Sequence, residues 1–130
     1  MSGFSDALAI AASGLRAQSA RLQHVSENIA NADTPGYHRK TVEFRAADPD
    51  NGPRGAVAAG PVRLDPAKPE RIFDPGHPLA DGSGYYDGSN VNLMIEIADA
   101  REAQRSYEAN LKMFDQARQM SASLMELIRQ

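Results

Sequence analysis

Leu8, Leu15, Leu22 and Ile29 recur every seven residues, and Ala11, Val25 and Ala32 sit three positions further on. A seven-residue apolar repeat is the pattern of a helix that lays one stripe against another helix. Gln18 interrupts the second line once, while Arg16, Arg21, Gln23 and Glu27 fall off the stripe. The pattern predicts a helix from about Ser5 to Ala32, with Ser2 or Ser5 as its N-cap and Asp6 in its first turn, where the helix dipole favours a negative charge. Gly14 costs about 1 kcal/mol against alanine. It is either tolerated there or marks close approach by a neighbouring helix. The helix stops in Asn28-Ile-Ala-Asn31-Ala-Asp-Thr-Pro35-Gly36-Tyr37. Thr34 precedes a proline and is pushed out of the helical region, so the end falls by Asp33. Pro35 and Gly36 suit the two central positions of a type II turn, and Asn28 and Asn31 can bond carbonyls freed at the helix end.

A second apolar series closes the chain. Leu93, Ile97, Ala100, Tyr107, Leu111, Phe114, Leu124, Met125 and Ile128 follow three-four spacing, with neither glycine nor proline from Asn92 onward. This predicts a helix over about 92–128, capped by Asn92 or Asn90, with Glu108 and Lys112 placed to pair one turn apart. Gln104, Arg118 and Ser121 weaken the series midway. Both helices are far longer than the usual 11–12 residues, and the short middle cannot absorb them. Their stripes need each other. An antiparallel hairpin buries one face of each helix; the length of the helices and the weak middle positions favour further apolar edges covered by neighbouring subunits.

All eight prolines lie from Pro35 to Pro78, and eight of the ten glycines from Gly36 to Gly88. Proline inside a helix costs about 3 kcal/mol. The chain therefore divides into an N-terminal helical arm (1–33), a Pro/Gly-rich middle (34–91) and a C-terminal helical arm (92–130). The expected fold class is mainly α with a small β-rich middle, its long terminal helices paired in coiled-coil fashion. Short strands are expected over Thr41–Arg45, Val62–Leu64 and Arg71–Phe73, between turns at Asn51-Gly52, Asp74-Pro75-Gly76, Asp81-Gly82 and Asp87-Gly88. The stretch Asp48–Pro61 looks flexible.

Composition narrows the functions. Fourteen basic against seventeen acidic residues give a net charge of −3, which speaks against electrostatic binding of nucleic acid or a polybasic membrane anchor. There is no cysteine, hence no disulfide scaffold, thiol nucleophile or cysteine-held zinc. No apolar run is long enough to span a membrane, and the first residues lack the basic and apolar blocks of a cleaved signal peptide. His24, His38 and His77 stand apart from one another, without metal-ligand spacing. His24 reads as a surface or packing residue, and the aspartates beside glycines as turn caps. No catalytic, cofactor-binding, metal or small-molecule substrate site is expected.

The stretch from Ser26 to Tyr37, with its Asn-Ile-Ala-Asn and Thr-Pro-Gly-Tyr elements, resembles the N-terminal signature of bacterial flagellar rod, hook and hook-associated proteins. Asn90-Val91-Asn92-Leu93-Met-Ile-Glu96-Ile97 and Arg105-Ser-Tyr107-Glu-Ala-Asn110 resemble the C-terminal signature of the same family. Asp74-Pro75-Gly76-His77-Pro78 and Gly84-Tyr85, with the short middle, resemble its proximal rod proteins; residues 48–67 carry no quotable match. The resemblance implies a structural subunit of the basal-body rod, exported by the flagellar type III apparatus and spanning the periplasm. It implies polymerisation with copies of itself and with other rod proteins through paired terminal helices. The residues expected to carry assembly are Leu8, Leu15, Leu22, Val25, Asn28, Ile29, Asn31, Pro35, Gly36, Tyr37, Asn90, Val91, Leu93, Glu96, Ile97, Tyr107, Asn110, Leu111, Phe114, Leu124 and Ile128. A soluble helical-hairpin binding module, such as a secretion chaperone or adaptor, is the alternative from a different class.

Overall fold

The computed structural model describes residues 2–129. Helix α1 runs Ser2–Ala30 and helix α2 runs Leu93–Arg129, with strands β1 (Lys40–Ala46), β2 (Val57–Leu64), β3 (Arg71–Phe73) and β4 (Tyr85–Asp87) between them. The chain thus has the expected two long helices flanking a small β middle. At 1.5 Å per residue the helices reach about 43 and 55 Å. They pack antiparallel, Asn28 bonding Glu96 at one end and Gly14 facing Asn110 further along.

Small side chains make the contact between the helices. Ala11, Ala17 and Val25 of α1 and Ala103 and Ala117 of α2 are its buried apolar residues. A Cβ added at Gly14 would lie 2.5 Å from the Asn110 side chain, so close approach is the reason for this glycine. The leucine line lies to the side of the contact: Leu8, Leu15 and Leu22 are half-buried and Ile29 is exposed. On α2, Tyr107, Phe114 and Leu124 are half-buried, whereas Leu93, Ile97, Leu111 and Ile128 are 48%, 48%, 41% and 68% exposed. A helix pair held at short range by alanine and glycine cannot take large side chains on its axis, so these flank it.

Several local expectations change. Helix α1 begins at Ser2, which puts Ser5 past any capping position and Asp6 beyond the first turn; the Ser2 side chain lies outside the described residues. Asn92 caps α2, its Oδ1 accepting from Met94 N at 3.0 Å and Ile95 N at 3.4 Å. Gln104 and Arg118 face outward and do not interrupt the contact, whereas Gln18 is half-buried. Glu108 and Lys112 do not pair; Asp115 and Arg118 do, at 3.8 Å.

The middle forms two separate antiparallel ribbons, β1–β2 and β3–β4. The first packs along α1, where Ser13 Oγ accepts from Val57 N at 3.0 Å and donates to Ile10 O at 2.7 Å. Val42 pairs with Val62 but Phe44 with Ala59, so Gly60 and Pro61 oppose Glu43 in a bulge. Proline cannot donate to a ladder, and a bulge accommodates it. The stretch that looked flexible instead holds a 3-10 turn at Pro49–Asn51 and the first half of β2. Strand β4 was not expected; its partner β3 falls where predicted. In the second ribbon Phe73 meets Tyr85 edge to face at 5.0 Å, and His77 stacks on Tyr86 at 3.9 Å.

Candidate functional site

The end of α1, the start of α2 and the chain between them meet at a buried polar junction. Its two central side chains are Glu96, with no exposed surface, and Asn28, 1% exposed. Asn28 uses its full hydrogen-bonding capacity. Its Nδ2 donates to Lys40 O at 2.9 Å and to Glu96 Oε2 at 3.3 Å. Its Oδ1 accepts from Tyr37 O–H at 2.8 Å and from Lys40 N at 2.9 Å. Glu96 Oε1 accepts from Arg39 Nε. One asparagine thus ties α1 to α2 and to the first residues of β1.

An ionic chain surrounds this pair. Arg39 also approaches Asp99 at 3.8 Å, Arg21 bonds Asp99 and lies 3.5 Å from Glu102, and Lys40 pairs with Glu27 at 2.7 Å. Hydrogen bonding to Lys40 holds the Glu27 carboxyl below its ordinary range, and Glu27 in turn raises Lys40. Burial opposes the Arg21 charge, but Asp99 and Glu102 outweigh it and raise that guanidinium. Burial also pushes the Tyr37 phenol up.

The backbone follows the same clamp. Thr34 O accepts from Tyr37 N at 3.1 Å across Pro35 and Gly36, with Gly36 at φ +76°, as a type II turn requires. Gly36 N donates to Gly88 O at 3.1 Å, and Asn90 N to Tyr37 O at 3.2 Å. Asn90 is a second tie: its Oδ1 accepts from Arg39 N at 2.6 Å, and its Nδ2 donates to Asp65 O and Ala67 O, both at 2.9 Å. Ser89 Oγ donates to Ala32 O, and Val91 N to Ser89 Oγ at 3.3 Å. Asn31 caps the end of α1 through Glu27 O at 2.8 Å.

Of the residues expected to carry assembly, Asn28, Asn31, Pro35, Gly36, Tyr37, Asn90, Val91 and Glu96 therefore gather at the junction. Leu8, Leu15, Leu22, Val25, Tyr107, Asn110, Phe114 and Leu124 lie along or beside the helix contact, and Ile29, Leu93, Ile97, Leu111 and Ile128 point outward. Asn28 bonds into the junction and not to a freed helix carbonyl. Arg39, Lys40 and Ser89 belong to the site without having been singled out. A lone charge in the otherwise apolar start of α2, the buried Glu96, is the signal that a cation must lie against it, and the half-buried Arg39 is that cation.

Among the described residues no group of three or more His, Asp or Glu could hold a metal ion, and no helix is long and apolar enough to cross a membrane. His38 Nδ1 donates to Asp65 O at 2.9 Å, and His77 Nδ1 accepts from Leu79 N at 3.1 Å; each has a local structural partner.

Two helices clamped by a buried asparagine-glutamate junction, with apolar residues turned outward, define a structural and assembling protein. Residues 8–38 match the family described as flagella basal body rod protein, and residues 83–127 match the flagellar basal body rod FlgEFG protein C-terminal family. The chain is 44% identical to the flagellar basal-body rod protein FlgC of Agrobacterium fabrum, covering 99% of this chain and 98% of that one. Identity is 35% with FlgC of Yersinia enterocolitica and 33% with FlgC of Salmonella typhimurium, each match covering 91% of this chain and 92% of the relative. The chain belongs to the FlgC family of flagellar basal-body rod proteins.

Proposed function

We propose that this chain is a structural subunit of the proximal part of the flagellar rod, polymerising through its terminal helices to build the axle that transmits torque. The observation that carries this reading is the inverted distribution of size across the helix pair. Alanine and glycine occupy the inner contact, while Leu93, Ile97, Leu111 and Ile128 stay outside. Burying one such side chain contributes roughly 1.5–3 kcal/mol, and a helical lattice offers that burial many times over. The arms 1–33 and 92–130 serve as the polymerising layer and the middle 34–91 as the outer one, with the junction setting the angle between them. Its partners are copies of itself, other rod proteins and, on the way out, the flagellar type III export apparatus. It works across the periplasm. Transmitting torque requires many contacts and no reaction, so no catalytic role is assigned.

The test is Leu111→Asp in a strain that depends on this chain for swimming. The protein is expected to be made and motility lost. Leu15→Asp is expected to do the same. A strain carrying either substitution that swims normally overturns the reading.

A further inference from the structure

The β3–β4 ribbon stands apart from the rest of the molecule. It packs on neither helix and is joined to the body chiefly by backbone bonds such as Gly36 N to Gly88 O at 3.1 Å. An isolated two-stranded ribbon is marginal in water, yet Phe73 is 61% and Leu79 62% exposed on this one. Arg71 bridges Asp81 and Asp87, both at 2.6 Å, one cation between two carboxylates. Asp74, beside Phe73, is exposed and has no ion-pair partner among the described residues. The ribbon is thus a small apolar knob with a net negative charge, Asp74 lying beside the exposed Phe73.

The complementary surface lies on α2. Met94, Ile97, Ala98, Arg101, Glu102 and Arg105 line an open groove of about 640 Å³ on α2, with Glu102 on the side nearest Arg21 of α1. Met94 is 81% exposed, and neither Arg101 nor Arg105 has an ion-pair partner among the described residues. The groove is apolar at its start and, with two arginines against Glu102, net positive further along, as the knob is apolar with acids at its edge. Its own knob cannot fill it, because the junction holds Gly88 and Asn90 against Gly36, Tyr37 and Arg39.

Resting on the rod-subunit reading above, we infer that the β3–β4 knob of one copy docks into the Met94–Arg105 groove of a second copy, Phe73 and Leu79 covering Met94 and Ile97, and Asp74 meeting Arg101 or Arg105. Each copy offers one knob and one groove at different places. The contact is heterologous and repeats from copy to copy, which suits a subunit that builds a helical wall.

The absence of cysteine makes a direct test clean. Chains carrying Leu79→Cys and Ala98→Cys are purified separately, mixed under assembling conditions and oxidised. Disulfide-linked dimer is expected at roughly tenfold the yield from Leu79→Cys with Gln119→Cys, an exposed position about 30 Å further along α2. Asp74→Arg and Arg101→Asp are each expected to raise the concentration needed for assembly by roughly fivefold, as for an exposed pair repeated through a lattice, and both together in one chain are expected to restore it. Large particles in light scattering without the linked dimer, or equal yields from both mixtures, overturn the docking and leave the rod reading standing. No particles at any concentration, with no linked dimer, overturn both.

Discussion

The two ends of the helix hairpin are built on opposite principles. At the junction, the buried Asn28 and Glu96 and the half-buried Arg39 and Asn90 are polar groups whose partners are supplied by the same chain. Toward the start of α1 and the end of α2 the contact is thin and greasy: Ala11, Gly14 and Ala117 fill its axis, while Met113, Met120, Leu127 and Ile128 remain exposed. One end is complete by itself and the other waits for neighbours. A subunit that must hold its shape and yet join a lattice gains from this division. Directional bonds fix an angle, whereas apolar surface tolerates small differences between the partners that cover it.

The sharpest way to break the contrast is at Glu96. Glu96→Ala leaves the half-buried Arg39 and one donor of Asn28 without their acceptor, and is expected to destabilise the isolated chain by about 3–5 kcal/mol, the range for breaking a buried ion pair. Urea unfolding followed by circular dichroism checks this; a loss below about 1 kcal/mol would put the pair in the class of surface bridges. Further along, Gly14→Leu forces a side chain into the space of Asn110 and should cost about 1–3 kcal/mol by overpacking. Asn110→Ala in the same chain should recover part of that loss, and absence of recovery would separate the two residues.

Acid probes the polar ties next. Glu27 is depressed by its bond to Lys40, and Asp81 by the backbone N–H of Tyr85, then by Arg71. A carboxyl whose folded value lies below its unfolded one stabilises at neutral pH, and that contribution fades as pH falls from the ordinary carboxylate value near 4 through the depressed one. Amide resonances of Ser83 and Tyr85, both bonded to Asp81 Oδ1, should therefore hold steady at pH 6 and shift only in strong acid. The smallest effect on stability belongs to the unfinished surface. Leu111→Asp should change the isolated chain by no more than about 0.5 kcal/mol, even though it is expected to abolish motility. A large loss of stability would place Leu111 in the fold and not in the assembly surface.

Both arms were legible because proline is absent from them and crowded between them, and the roughly forty residues after Gly88 without proline or glycine leave few alternatives to a helix. The face that packs was less legible. Hydropathy draws the eye to Leu8, Leu15 and Leu22, but the distance between two helices is set by the smallest residues along the contact, and Ala11, Gly14 and Ala17 carry little hydropathic weight. Strand β4 went unseen because Asp81-Gly82 and Asp87-Gly88 bracket it so tightly that only Tyr85, Tyr86 and Asp87 pair. At the junction, Asn28 and Asn31 look equivalent in sequence. Asn31 performs the local task of capping its own helix, while Asn28 works across 68 positions to Glu96, and no local pattern encodes such a distance.

The kink at Gly60 and Pro61 carries a safeguard. A subunit meant to stack in quantity risks stacking by the wrong element, and a bare ribbon margin is an invitation to zip onto its twin. Placing a residue with no amide hydrogen at an irregular step in β2 spoils that template, so crowding during construction is steered away from fibrils and toward the rods of helix for which the chain is shaped.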